Sequence, residues 1–172
     1  MKNKNEFYRM TIVYSNKTQP VALKNDYEGG ACSKCGAVIN KRISSLKVYF
    51  KGKNPVDYYT VSNFNIISKR LQEAFHESGI TEFNLKDIDV KGWYDNNEKP
   101  LDIDWSGLKE MDIIGRCGFL RHLNGNIIDK CDECGIFDYD KADTINGLSV
   151  NIDEWDQSDV FHFKNWIGPP KG

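Results

Sequence analysis

"KCDECGIFDY", residues 130–139, sets two cysteines three positions apart, follows them with a glycine and runs into acidic and aromatic residues. Near the other end of the chain, Cys32-Ser33-Lys34-Cys35-Gly36 repeats the design. How the chain folds depends on whether these two turns form one metal site, a redox site, or pairs of buried thiols.

Two thiolates at this spacing can grip the same ion when the backbone turns tightly between them. A glycine after the second cysteine tolerates the positive φ that aims backbone N–H groups at sulfur. Two such turns supply four sulfurs, and tetrahedral Zn2+ held by Cys32, Cys35, Cys131 and Cys134 is the expected product. With four thiolate ligands no coordination position is left for water, so the ion would be structural. The 95 residues between Cys35 and Cys131 exceed the usual insertion in a zinc ribbon. Loop closure grows only logarithmically with length, so the insertion is tolerable if it folds as the body of the protein. Structural zinc binding of about 10–16 kcal/mol rivals the whole stability of a domain, about 5–15 kcal/mol, so one ion can decide whether the two ends assemble.

Redox-active or free thiols and an iron centre are the alternatives. A thioredoxin-like site would place its cysteine pair at the start of a helix, and neither GAVINKRIS nor GIFDYDKAD has helical patterning. The fifth cysteine, Cys117, lies in an apolar stretch and reads as a buried small hydrophobe. His76, His122 and His162 are scattered, and none is at ligand spacing from another. The sequence contains no glycine-rich phosphate loop, nucleophile elbow or paired-histidine helix. A non-enzymatic protein is expected.

The 172 residues, 40% hydrophobic and 28% charged, fit a single soluble domain spanning 1–172. In this reading the knuckles at 32–36 and 131–135 are drawn together around the 37–130 insertion. No apolar run approaches the roughly 18 residues of a membrane span, and the first residues lack a signal-peptide h-region. Cysteine spacing of this kind fits a reducing compartment, so the cytoplasm is expected.

The fold class expected is α+β: mostly antiparallel sheet, one main amphipathic helix and a zinc-ribbon-like site of four cysteines. EFYRMTIVY, SSLKVYF and VDYYTVS read as strands, and SNKTQPVALKNDYEGGA between the first two as turns. NIISKRLQEAFHESG reads as the helix, with Ser62 or Asn63 as N-cap. Ile67, Leu71, Ala74 and Phe75 share one stripe, and Gly79 terminates it. ITEFNLKDIDVKGWY reads as strand with a break near Lys86-Asp87. MDIIGRCGFL and NGNIID are expected to pair with each other, and GLSVNI and DVFHF to supply late strands.

Charge is unevenly distributed. Residues 1–70 carry thirteen Lys or Arg against four Asp or Glu, a net of +9, while residues 131–160 carry nine acids against Lys141, a net of −8. The two ends can neutralise each other across the fold, or present one-sign surfaces to partners. Asp132 and Glu133 sit beside four thiolates whose complex with Zn2+ is already formally −2, so they gain nothing from the metal. With Asp138, Tyr139, Asp140, Asp153, Glu154, Trp155 and Asp156 they form an acidic stretch with aromatic anchors, the composition of a protein interface.

The two Cys-x-x-Cys-Gly motifs, the helix segment leading into ITEF, and Ser158-Asp159-Val160-Phe161 together resemble the bacterial double-CxxCG motif proteins over residues 6–163. That family is associated with interbacterial polymorphic-toxin loci and is similar to toxin immunity proteins. The resemblance implies zinc-type ligation by Cys32, Cys35, Cys131 and Cys134 and a cognate toxin as partner. In the family pattern a further strand and helix usually follow the Asp-x-Phe element, whereas this sequence continues for eleven residues after Phe161.

The leading expectation is an immunity protein that occludes a toxin, such as a nuclease with a basic cleft, through the acidic face. The alternative is a zinc-ribbon nucleic-acid binder. It would contact phosphates through Lys34, Lys41, Arg42, Lys47, Lys51 and Lys53 and stack bases on Tyr49, Phe50, Tyr58 and Tyr59. The acidic second knuckle and a pI near 5.9 oppose that alternative.

Overall fold

The computed structural model describes Phe7 and residues 18–136 and 148–164. In chain order the strands are β1 (Gln19–Ala22), β2 (Tyr27–Ala31), β3 (Val38–Arg42), β4 (Leu46–Lys51), β5 (Tyr58–Val61) and β6 (Phe64–Ile67). The helix α1 (Lys69–Glu77) follows, then β7 (Phe83–Lys86), β8 (Ile88–Tyr94), β9 (Lys109–Ile113), β10 (Gly115–Cys117), β11 (Arg121–His122), β12 (Leu148–Ser149) and β13 (Phe161–Phe163). The architecture is α+β and mostly antiparallel, with a four-stranded sheet β5-β6-β9-β7, a three-stranded sheet β1-β4-β8 and three two-stranded pairs. The parallel pairings are β4 with β8 and β10 with β13.

The core forms where β4 and β8 face the β5–β6 hairpin. In β4 the residues Leu46, Val48 and Phe50 alternate inward and are fully buried, which is the period of a strand with one core face. Phe50 stacks on Trp93 at 4.5 Å between ring centroids and meets Tyr59 edge-on at 5.0 Å. The buried polar atoms of these rings are satisfied: the Trp93 indole N–H donates to the Gly52 carbonyl at 2.7 Å, and the Tyr59 hydroxyl accepts from the Val56 N–H at 2.9 Å. Each such side chain contributes about 1.5–3 kcal/mol on burial, and the cluster draws on strands that carry none of the four paired cysteines.

Three expectations require correction. The helix starts at Lys69, with Ser68 as N-cap accepting from the Leu71 N–H, so residues 64–67 are strand and Ser62-Asn63 form the hairpin turn before it. The reason is that β6 lies inside its sheet, between β5 and β9. Adjacent Ile66 and Ile67 are both buried there, and an apolar run of that kind has no period to separate strand from helix. At the other end Gly79, with φ +71°, closes the helix as expected; Gly79 N–H donates to His76 O and Ile80 N–H to Phe75 O.

The segment read as turns contains β1 and β2. Pro20 is compatible with β1 because β1 is an edge strand. The expected pairing of MDIIGRCGFL with NGNIID forms no ladder among the described residues: the Ile128 N–H donates to Leu120 O at 3.2 Å, and the one bridge nearby, Arg121 with Ile127, starts just past the first segment. Instead β9 lies between β6 and β7, and β10 runs parallel to β13. The first expected strand, EFYRMTIVY, lies outside the described residues apart from Phe7, whose ring packs edge-on against Trp155 and Phe161.

Candidate metal centre

The first cysteine pair occupies the turn of the β2–β3 hairpin, whose last register pair is Ala31 with Val38. Cys32 N–H donates to Ala37 O at 2.8 Å and Gly36 N–H to Cys32 O at 2.9 Å. The second pair repeats this turn bond for bond, with Cys131 N–H to Ile136 O and Gly135 N–H to Cys131 O, both at 2.8 Å. Gly36 and Gly135 stand at φ +72° and +74°, the left-handed conformation that the sequence motif requires. In this shape the N–H of Ala37 points to the Cys35 sulfur and that of Ile136 to the Cys134 sulfur.

The two turns face each other. Cys32 Sγ lies 3.9 Å from Cys131 Sγ, Cys35 Sγ lies 3.6 Å from Cys134 Sγ, and all four sulfurs fall within 4.8 Å of one another. A tetrahedron with metal–sulfur bonds of about 2.3 Å has edges of about 3.8 Å, so the donor set fits one tetrahedral cation. The spacing is too long for a disulfide, about 2.05 Å, and all five cysteines are free. Cys117 stands apart, buried against the Asn151 carbonyl with its thiol pushed up by burial, as a small hydrophobe would be.

Thiols packed this closely share protons unequally. Cys131 is lowered to about 7 by the backbone N–H groups of Cys134 and Glu133. At Cys134 the N–H of Ile136 acts downward, yet burial and the neighbouring sulfurs of Cys35 and Cys131 push the thiol up to about 12. Holding all four as thiolates requires a positive charge at their centre.

Asp132 and Glu133 have partners inside the molecule. Lys34 Nζ pairs with Asp132 at 2.6 Å, and Ser33 Oγ donates to Glu133 Oε1 at 2.7 Å. The middle residues of one knuckle therefore grip those of the other. These acids, read from the sequence as partner-facing, thus have partners within the fold as well. The sequence signal for it was the opposite charge of the two motif interiors, Lys34 in the first and Asp132 and Glu133 in the second.

Glu154 and Asp156 are also engaged. Glu154 pairs with Arg121 at 2.5 Å and accepts from the Phe119 N–H at 3.2 Å. Against the cost of its burial, the Asn151 and Arg121 hydrogen bonds hold its carboxyl below the usual range. Asp156 accepts from the N–H groups of Arg116 and Ser158. The Trp155 indole donates to Ser158 O at 3.0 Å, while Asp153 is exposed. Asp138, Tyr139 and Asp140 lie outside the described residues.

Of the residues assigned to nucleic acid, Phe50 and Tyr59 are core side chains, so base stacking by these two is ruled out. Tyr49 packs edge-on against Tyr94, and the Tyr58 hydroxyl donates to Asn65. Lys47, Lys51 and Lys53 pair with Asp26, Glu98 and Asp95, and Lys41 is exposed on β3. Arg42 is the informative case. Its guanidinium pairs with Glu110 while both side chains are almost wholly buried, and it lies 4.7 Å from the centroid of the Phe64 ring. This contact, which the sequence did not disclose, anchors the first knuckle's hairpin to β9 of the four-stranded sheet.

His76 is exposed, His122 lies in β11, and His162 is held low chiefly by burial, with Arg116 adding to the effect. A groove of about 840 Å3 is lined by Asp57, Tyr58, Ser68, Arg70, Asp104 and Ser106 among others, with neither cysteine nor histidine. Its charges are satisfied locally: Asp57 pairs with Arg70 and accepts from Ser68, and Asp104 accepts from the Ser106 N–H. No helix among the described residues is long and apolar enough to cross a membrane. Comparison with family models, curated proteins and solved structures returns no match.

Proposed function

We propose that this chain is a non-enzymatic immunity protein that binds and neutralises a bacterial toxin on a scaffold closed by structural zinc. The observation that carries the scaffold is the four-sulfur cluster, with cross-knuckle separations of 3.6 and 3.9 Å. Soft thiolates in a tetrahedral set select Zn2+ among common divalent ions, and four protein ligands leave no site for a substrate or an activated water. The ion would therefore hold the fold and perform no chemistry, and thiolate ligation suits the reducing cytoplasm.

The toxin-binding half of the reading is supported by the resemblance carried by the two Cys-x-x-Cys-Gly motifs and by the acidic character of residues 131–160. The docking face we assign is acidic. We assign Asp132, Glu133, Asp138, Tyr139, Asp140, Asp153 and Trp155 to supply its charge and aromatic groups, while Glu154 and Asp156 fix the backbone around residues 116–119 and 158. Against a basic toxin cleft, such charge would speed association, and the aromatic groups would slow release.

On this reading the gene lies beside one for a secreted multidomain toxin, and the test uses the toxic domain of the protein found encoded there. Co-expression of the chain should rescue growth, and the purified proteins should form a complex whose association slows as salt rises. Replacing the exposed Asp153 together with the exposed Asp159, which extends the same acidic run within residues 131–160, by lysine should slow association at least tenfold while leaving the melting temperature unchanged. A neighbouring toxin that is neither bound nor neutralised removes the immunity assignment. Undiminished association of the double variant removes the acidic face.

A further inference from the structure

Oxidation of the cluster has a geometrically preferred product. Resting on the reading of the four cysteines as a zinc centre, we propose that a peroxide oxidant ejects the ion and joins Cys35 to Cys134, so that the two knuckles exchange a metal link for a covalent one. Three observations carry this. The sulfurs of Cys35 and Cys134 are already 3.6 Å apart. Cys35 is the exposed member of the cluster, whereas Cys32 is buried and Cys131 and Cys134 are intermediate. The two turns meet face to face, with Lys34 against Asp132 and Ser33 against Glu133, and neither contact involves a sulfur. Sulfurs so placed need to close by only about 1.5 Å to reach a disulfide bond length.

Electrons and atoms balance with hydrogen peroxide as the two-electron acceptor. The accessible Cys35 thiolate attacks peroxide, forming the Cys35 sulfenic acid and releasing hydroxide. The Cys134 thiolate then attacks the Cys35 sulfur, the S–S bond forms, and the second oxygen leaves as hydroxide. Two protons from solvent convert the hydroxides to water. The cation loses two of its four ligands and with them most of its affinity, so it is released.

The consequence follows from topology. A disulfide within either knuckle, Cys32 with Cys35 or Cys131 with Cys134, closes only a short turn and lets residues 31–37 and 130–136 separate. The Cys35–Cys134 bond spans 99 positions and holds both turns together without the ion. Peroxide thus converts a chelator-sensitive protein into a chelator-resistant one, and thiol reductants reverse the change.

The experiment is performed on the full chain after its zinc content has been measured, so that absence of metal, which would fail the zinc reading itself, is seen before any oxidant is added. Hydrogen peroxide is titrated with a chromogenic zinc chelator present, and disulfides are mapped by peptide mass spectrometry with alkylation of free thiols. Expected is release of one zinc per chain, in step with a predominant Cys35–Cys134 linked peptide. The buried Cys117 should remain fully alkylatable after denaturation as an internal control, and an excess of reductant should restore zinc uptake. Predominance of a within-knuckle or Cys32–Cys131 disulfide, sulfinic acid in place of disulfide, or retention of zinc while a reference thiol is oxidised would each overturn the proposal.

Discussion

Arg42 at the end of β3 and Glu110 in β9 form an ion pair whose side chains are only 7% and 6% exposed, joining the hairpin that carries Cys32 and Cys35 to the four-stranded sheet. Removing one partner leaves the other's charge buried and unpaired, an effect of about 3–5 kcal/mol. Glu110→Ala should therefore lower the urea midpoint strongly, and Arg42→Met similarly. The double variant Arg42→Met with Glu110→Leu should recover most of the loss, because it buries no unpaired charge. Equal losses in the double and single variants would show that the pair contributes through shape alone.

Chelation should divide the molecule energetically. The aromatic cluster of Phe50, Tyr59 and Trp93 is built from strands outside either knuckle, whereas on the proposed zinc reading the approach of residues 31–37 to 130–136 depends on one cation shared by the four clustered sulfurs. Removing zinc should expose amides in both knuckles to rapid hydrogen exchange while those of β4 and β8 stay protected. Cys131→Ser should reproduce the pattern without chelator and abolish stoichiometric zinc. Simultaneous loss of protection throughout would indicate that the core does not stand without the ion.

Parts of this arrangement could be read along the chain, and the reason lies in how local each signal is. Alternation in Leu46-Lys47-Val48-Tyr49-Phe50 marks β4, and the break at Asp87 separates β7 from β8, because strand period is a property of neighbours. The four-cysteine cluster was legible because each half of it is itself a local turn. What escaped is non-local. Ile66 and Ile67 belong to a strand only because β5 and β9 flank them. Arg116 aligns with His162, and Lys34 with Asp132 98 positions away, through contacts that no window of sequence contains.

Acid should weaken the molecule partly through Asp57. Its carboxyl accepts from Arg70 and from the N-cap Ser68, and the Arg70 hydrogen bond leads the causes that place it below its ordinary 3.8. A carboxyl depressed on folding adds stability that is complete above the unfolded value and fades as pH falls through the folded one. Asp57→Asn should therefore destabilise at neutral pH and flatten the loss of stability below about pH 4, the usual aspartate range, in urea melts taken across pH. A variant with an acid limb as steep as that of the parent would exclude Asp57 as a contributor.

The knuckle-to-knuckle contact of Lys34 with Asp132 lies on the surface, where an ion pair contributes only about 0–1 kcal/mol, and its position next to the thiolates matters more than its strength. Lys34→Asp places two acids side by side against a site that is formally −2 when filled with a divalent cation, so zinc should dissociate faster, by about tenfold at low salt. Screening should shrink the difference as ionic strength rises. The charge-swapped pair, Lys34→Asp with Asp132→Lys, restores attraction and should return the dissociation rate to within about twofold of the parent, an amount comparable to the error of additivity. Competition with a chromogenic chelator at two salt concentrations measures all three proteins. If the swap fails to rescue while the single variant is impaired, Lys34 acts on the metal centre alone and the contact across the knuckles is incidental.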